Sequence, residues 1–417
     1  MHYFKILKHY LNPIVQKEIL SVAKDREVVG SLEDGSYLKR PDVLSYPKDI
    51  EEKVKNGAVA FHCSVERWSQ PMQLSTNLKQ EEIENLRNGF DFLIDIDAKV
   101  KLEHATAAAK VVYEFLKDSG IYPTIKFSGS RGFHIGIAGN AFPDRIDFKE
   151  TRKRYPEVPQ VLAEYISEKI KDEILEELIS IEGGVASLVS TVKSVSELSP
   201  YEFIDIEKNW GNRHLFRMPY SLHPKYWLVS LPIKFNDLKD FKKEMAKPEN
   251  IKSKVDFLVN KEGEATDLLL RALDWKAKQP KEALRPIRLI RKKSEKPIPE
   301  ECFPPCIKII LNGLSDGRKR SLFTLLSFLK LMNWKQEDIE KRIREWNLKN
   351  SQPLNERTLK TQLKWHFRQN RELMPANCQS HLFYVSFGVC KPDKYCSKNP
   401  VNYPFRLMRD KIRNEKL

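Results

Sequence analysis

The sequence predicts an α+β protein in two parts: a mixed sheet with flanking helices over residues 1–275, then a mainly helical region over 301–417. Three observations carry this. Short apolar runs with a two-residue period, such as FLIDID and TIKF, alternate with helix-patterned runs such as HATAAAKVVYEFLKD as far as about residue 275. The stretch 276–300, KAKQPKEALRPIRLIRKKSEKPIPE, is basic, proline-punctuated and without clear period, and reads as a linker. Beyond it only helix patterns follow.

In chain order, residues 1–60 read as a helix followed by short strands and turns around GSLEDGSYLKRPD. GAVAFHCSVER, 57–67, reads as one strand. NLRNGFDFLIDID is a turn and then a buried strand. HATAAAKVVYEFLKDSG is a helix stopped at Gly120. TIKFSGSRGFHIGIAG reads as two strands joined by a glycine-bearing turn. Residues 157–182 are helical and lead into the small-residue loop GGVAS. YEFIDIE and YWLVSLPI are strand candidates flanking the turn-rich RHLFRMPYSLHPK. After the linker, RSLFTLLSFLKLMN, KQEDIEKRIREWNLKN and ERTLKTQLKWHFRQNRE read as helices.

The chain has 417 residues, a formal net charge of +15 and a hydrophobic fraction of 41%. That is enough apolar material for real cores. No run approaches the roughly 18 apolar residues of a membrane span. The N-terminus, MHYFKILKHYLN, lacks a signal-peptide cleavage pattern, so a cytoplasmic protein without a membrane partner is expected. The positive charge suits a polyanionic partner, though lysine-rich composition alone also produces it. Of six cysteines, Cys63 stands alone and Cys302, Cys306, Cys378, Cys390 and Cys396 fall in the last third. In a cytosolic chain such a cluster points to a metal or cluster site rather than to disulfides.

In DFLIDIDAK, Asp95 and Asp97 share one strand face, about 6–7 Å apart. Like charges so placed repel, and hard oxygen ligands suit Mg²⁺ or Mn²⁺; a DxD at a strand end also serves as a turn or cap. In FSGSRGFHIGI, Ser128, Ser130, Arg131 and the turn amides could form a nest for a triphosphate, with His134 on the strand beyond. An ordinary hairpin carries the same residues. In FIDIEKNWGNRHLFRMPYSLHPK, Asp205 and Glu207 offer a further carboxylate; Arg217, His223 and Lys225 follow in one turn-rich segment, and Arg217 and His223 could neutralise phosphates. A solvated strand and loop is the plainer reading of that segment.

Together, in this order, hhhDhD, SGxRGxH and hDI…R…PYSLHPK resemble the catalytic small subunit of archaeo-eukaryotic DNA primases. GAVAFHCSVERW adds a strand of the same kind, so the resemblance spans roughly residues 20–235. It implies that Asp95, Asp97 and Asp205 hold catalytic metals, with Glu207 in reserve. It also implies that Ser128, Arg131, His134, Arg217 and His223 contact the nucleotide's phosphates, with Lys39 as a basic residue of the same site. Two departures stand out. Ser130 replaces a second arginine common in the family. The segment 98–123 holds His104 but no cysteine, against the zinc module usual there.

In the tail, spacing alone leaves zinc, an iron–sulfur cluster and free buried thiols open for Cys306, Cys378, Cys390 and Cys396. PPC-I-K, G-R-x-R, F-G-x-C and C-x-x-N-P, over 303–402, resemble the C-terminal domain of the primase large subunit. That likeness implies a [4Fe–4S] cluster on those four thiols and gives Cys302 no role. It also implies that Arg318, Lys319 and Arg320 help hold the template and initiating nucleotide, although a basic helix start is common on solvated surfaces.

The resemblance therefore implies a single chain fusing a catalytic small subunit to the large subunit's iron–sulfur domain. Its expected activity is a template-dependent nucleotidyltransferase that makes primers de novo on single-stranded DNA from nucleoside triphosphates by a two-metal mechanism. Primer–template duplex and other replication proteins would be its further partners. A primer-extending repair or gap-filling polymerase and an inactive nucleic-acid-binding subunit are the alternatives.

Overall fold

The computed structural model describes residues 3–75, 77–192, 198–208, 210–279, 296–369, 372–378, 381–385 and 387–414. Most of the expected linker, residues 280–295, lies outside them. The chain divides into two compact units, Met1–Pro280 and Lys281–Leu417.

In the first unit the strands are β1 (Val28–Ser31), β2 (Ala60–Ser64), β3 (Glu66–Trp68), β4 (Arg87–Phe90), β5 (Phe92–Ala98), β6 (Thr124–Phe127), β7 (Gly132–Ile137), β8 (Arg145–Ile146), β9 (Lys149–Glu150), β10 (Ile204–Ile206), β11 (Leu215–Arg217) and β12 (Pro232–Ile233). A five-stranded antiparallel sheet has the order β10-β5-β7-β6-β12, and a three-stranded one the order β1-β2-β11. The pairs β3-β4 and β8-β9 stand apart.

Alternation along β5 explains how the larger sheet is used. Phe92, Ile94, Ile96 and Ala98 point to one face and are buried; Leu93, Asp95 and Asp97 point to the other. The Leu102–Asp118 helix packs on β5 and β7, and the Glu157–Glu182 helix packs on that helix. Gly183, in the left-handed region at φ 75°, closes the longer helix. On the opposite face Gly136 of β7 abuts Phe257 and Leu258, and Phe257 faces Phe216 of β11. The carboxylates therefore look away from the helices, toward the smaller sheet.

Several expectations are corrected. GAVAFHCSVER is two strands: the ladder breaks at Val65, where the chain leaves β2 for the β3-β4 pair. YEFIDIE starts as a 3-10 turn at Pro200–Glu202, and only Ile204–Ile206 joins the sheet. YWLVSLPI is mostly loop. Trp227 sits at φ 59°, which a strand cannot hold; Val229 makes a single antiparallel bridge to Leu222, and Pro232–Ile233 pairs with β6. RHLFRMPYSLHPK is not simply a connection, because Leu215–Arg217 is β11 and pairs with β2. The Pro47–Lys55 helix, with proline at its start and Asp49 in its first turn, was not anticipated.

The second unit is helical: Pro305–Leu311, Arg318–Leu331, Gln336–Lys349, Glu356–Arg368 and Asn402–Asn414, the first and last beyond the sequence reading. Its core joins Phe303, Ile307 and Ile310 to Leu322, Leu325, Phe328, Ile339, Ile343, Trp346 and Leu359. Among the described residues no helix is long and apolar enough to cross a membrane.

Candidate active site

Strand register assembles the first group of residues. Asp205 lies opposite Asp97, and Gly132 lies on Asp97's other side; His134 lies opposite Asp95 and Lys126 opposite His134. Directly opposed residues share a face. Asp95, Asp97, Asp205, His134 and Lys126 therefore lie on one side of the sheet. Glu207 continues the row: its N–H donates to the Asp95 carbonyl at 3.1 Å, and its carboxylate pairs with His214 Nε2 at 3.2 Å.

Gly132 permits this spacing. A Cβ there would lie 1.9 Å from the Ile96 carbonyl oxygen and 2.6 Å from Asp97 Oδ1. Gly129, at φ +93°, turns the hairpin so that its backbone passes close to His223 Cβ.

Burial, then Asp97 and Glu207, push the Asp95 carboxyl well above the usual carboxylate range. Asp97 is also raised, by burial first, against the pull of Arg131, whose Nε stands 3.3 Å from Asp97 Oδ2. His134 Nε2 is 3.5 Å from Asp95 Oδ1, beyond a good hydrogen bond.

Beneath His134 lies a residue sequence reasoning missed. Lys126 is wholly buried; its Nζ donates to Ser230 Oγ at 2.7 Å and stands 3.0 Å from His134 Nδ1. Burial, then Arg217, hold its pKa well below the usual lysine value. When Lys126 Nζ donates to Nδ1, the His134 proton is on Nε2, the nitrogen nearer Asp95. The available signal was a lysine inside the apolar run TIKF, two residues before Ser128.

The second group comes from the smaller sheet. Arg217 on β11 pairs with His62 on β2, another residue not anticipated, and its Nη1 donates to the Ser128 carbonyl at 3.1 Å. The site is thus not confined to one sheet face; it is a cleft where two sheets approach. His62 is held well below the usual histidine range by burial, then Arg217, and its ring meets Tyr37 edge-on at 5.5 Å. His223 Nδ1 accepts the Lys225 N–H at 3.1 Å, leaving the ring proton on Nε2. Burial, then Arg217, lower its pKa to about 4. Lys39 is exposed, and among the described residues no hydrogen bond or ion pair joins it to this group. His104 is elsewhere, buried in the first turn of the Leu102–Asp118 helix and bonded to Glu182 at 2.6 Å.

Four polar atoms in the cleft are buried without a hydrogen-bond partner: Asp95 Oδ1, Ser128 Oγ, His62 Nδ1 and Arg217 Nε. Buried polar atoms are seldom left unpaired, so these four are atoms whose bonding ordered water or a ligand would complete. An anion would satisfy Ser128 and Arg217. A cation would satisfy Asp95 and relieve its repulsion with Asp97, so the donor set fits a divalent ion. As the side chains stand, no three His, Cys, Asp or Glu groups among the described residues are close enough to hold one ion.

In the second unit, Cys306 is buried on the Pro305–Leu311 helix, while Cys378, Cys390 and Cys396 come from the loops before the last helix. Burial first, then Cys378, raise the Cys306 thiol to about 12; burial, then Cys396 and Cys390, raise Cys378 to about 11. Four thiols from distant parts of the chain thus feel one another's charge. No three of them are close enough, as the side chains stand, to hold one ion. Arg318 bonds the Gln352 carbonyl, Lys319 is exposed, and Arg320 lies over the Phe387 ring at 4.8 Å.

Residues 94–235 match the family model of the DNA primase small subunit. An uncharacterized protein of Methanocaldococcus jannaschii is 24% identical over 344 residues, covering 74% of this chain and 72% of its own length. The polymerase domain of ligase D from Mycobacterium tuberculosis, solved in complex with DNA, is 14% identical with a TM-score of 0.37. It covers 65% of this chain and 88% of its own. The family match covers all the cleft residues named above except Tyr37 and His62, leaves out Lys39 as well, and supports a primase-type nucleotidyltransferase acting on DNA.

Proposed function

We propose that the chain is a DNA primase that starts primers de novo on single-stranded DNA from nucleoside triphosphates, working in the cytoplasm. The observation that carries this reading is the set of unpaired buried atoms around Asp95, Ser128 and Arg217, inside the segment that matches the primase family. They call for a cation and a phosphate-rich anion side by side, which is what a metal-bound nucleoside triphosphate supplies.

In this reading Asp95, Asp97 and Asp205 hold divalent ions, with Glu207 on the same face beside Asp95. Such ions, when bound, lower the pKa of an attacking 3′-hydroxyl and stabilise the leaving pyrophosphate. The chain's own groups position the triphosphate. Ser128 and Arg217 donate from the hairpin and from β11, and His134 and His223 donate through Nε2. Both imidazoles are neutral at pH 7, so they act as hydrogen-bond donors rather than as charges. The fixed positive charges come from Arg217 and Arg131. Preorganised donors of this kind need no reorganisation as charge develops.

The four thiols, read as ligands of a [4Fe–4S] cluster, with Arg318, Lys319 and Arg320 on the same unit, favour initiation over simple extension. A primer-extending polymerase would use the same cleft but has no evident need of the second unit. An inactive DNA-binding subunit has no need of three carboxylates under mutual repulsion. The test is incorporation of labelled nucleotides on a primer-free single-stranded template, with Mg²⁺ or Mn²⁺ and anaerobically purified protein. Products without a primer support de novo synthesis. Extension only from an added primer overturns it in favour of the polymerase reading.

A further inference from the structure

The β8-β9 hairpin follows the cleft strand β7 in sequence but takes no part in the cleft. Its two-residue turn is Asp147–Phe148, with φ of 48° and 63°. Turns of this handedness favour Asn-Gly or Asp-Gly, because the second residue must tolerate positive φ. A phenylalanine there is a true outlier and costs conformational energy. The ring gains nothing from packing: Phe148 is 94% exposed, the most exposed large apolar side chain among the described residues. Strain and exposed apolar surface at one residue, with no contribution to either core, mark a position kept for contact with something else.

The surroundings indicate what that is. Phe148 borders a surface hollow of about 580 Å³, lined by the cations Arg145, Lys149, Lys153 and Arg154 and by the acids Asp147, Glu150 and Glu157. The acids nearby are already engaged. Glu150 pairs with Lys153 at 2.7 Å and Arg152 at 3.1 Å, and Arg154 pairs with Glu157 at 3.0 Å and Asp147 at 3.6 Å. Exposed Lys149 has no ion-pair partner among the described residues, and Arg145 bonds the Phe148 carbonyl at 2.7 Å, which braces the turn. The tip therefore offers one bare aromatic side chain next to the unpaired Lys149, with Arg145 held at the Phe148 carbonyl. That combination recognises single-stranded nucleic acid: an unpaired base stacks on the ring and adjoining phosphates meet the cations.

We propose that the β8-β9 hairpin is a second contact for single-stranded DNA, with Phe148 as the stacking platform for an unpaired base and Arg145 and Lys149 as its phosphate contacts. This rests on the nucleic-acid reading above. The test is binding of a fluorescent dT20 oligonucleotide by the full chain at fixed salt, compared with a dT20 carrying abasic residues. Phe148→Ala and Phe148→Gly should each weaken dT20 binding about ten-fold. They should narrow the preference for dT20 over the abasic strand and leave incorporation at saturating template unchanged. The glycine variant relaxes the turn, so its loss of binding cannot come from strain. Phe148→Trp should keep the affinity, with indole fluorescence quenched on binding. Lys149→Ala should instead reduce the slope of log affinity against log salt by about one. Wild-type binding by the alanine and glycine variants overturns the proposal and leaves the nucleic-acid reading standing. Failure of the wild type itself to bind dT20 overturns both. Self-association that depends on Phe148, with DNA affinity unchanged, overturns it in favour of a protein contact.

Discussion

At the scale of single residues, the cleft is built from groups that are badly placed for the free protein. Asp95 faces Asp97 and Glu207 with one oxygen unbonded, and burial disfavours its charge. Because its folded pKa is raised, it destabilises the fold as pH rises through that value. Asp95→Asn should therefore raise the melting temperature of the metal-free protein at pH 7.5. Mn²⁺ should raise the melting temperature of the wild type and do little to the variant; an equal response in both would remove Asp95 from the metal site. Asp95→Ala and Asp97→Ala should each cut nucleotide incorporation at least about a hundred-fold, with template affinity nearly unchanged. Normal synthesis by either variant would refute the site. Lys126 makes a different prediction. It acts through His134 rather than on substrate, so Lys126→Met should raise KM for the incoming nucleotide roughly ten-fold while kcat changes less. A change confined to protein stability would reduce Lys126 to a core residue.

At the scale of elements, the N-terminal helix, Tyr3–Tyr10, braces the loop that carries His223. Tyr10 Oη donates to the Val59 carbonyl at 2.9 Å and accepts from the Leu222 N–H at 3.0 Å, and His9 Nε2 donates to the Tyr220 carbonyl at 2.8 Å. His9 is buried with Nδ1 unpartnered, and burial lowers its pKa to about 4. Its folded pKa lies below the unfolded 6.5, so stability is full above pH 6.5 and is lost as pH falls toward 4. His9 alone accounts for up to about 3 kcal/mol of that loss. Urea midpoints measured between pH 7 and pH 4.5 should fall, and His9→Gln should flatten the fall; an unchanged slope would mean that His9 is not the group responsible. Helices with a clear apolar period were read well: Glu157–Glu182, Arg318–Leu331 and Gln336–Lys349 start and end within two residues of expectation. Short elements were not. β11 has three residues, too few for a periodic signal, and it exists because β2 offers an open edge to pair with.

At the scale of the whole molecule, the two compact units invite a separation of tasks. Cys390 is exposed, while Cys306 is buried on a core helix, so a centre bound by these thiols would bear directly on the fold of the second unit. Cys390→Ser should lower iron content and primer-free initiation while extension of a supplied primer persists. Equal loss of both activities would mean that the units act as one.

The sequence by itself determined the alternation that puts Asp95 and Asp97 on one strand face, the hairpin that brings SGSRG back toward them, and the helical character of the last third. Each of these is a local property, set by side-chain period and turn chemistry within a dozen residues. Tertiary structure alone decided that Asp205 stands opposite Asp97, that Arg217 reaches Ser128 from a second sheet, and that Lys126 lies buried under His134. Those relations depend on strand register and on the approach of two sheets. Register is settled by which edges are free to pair and which faces must be buried, and residues a hundred positions apart carry no local signal of it.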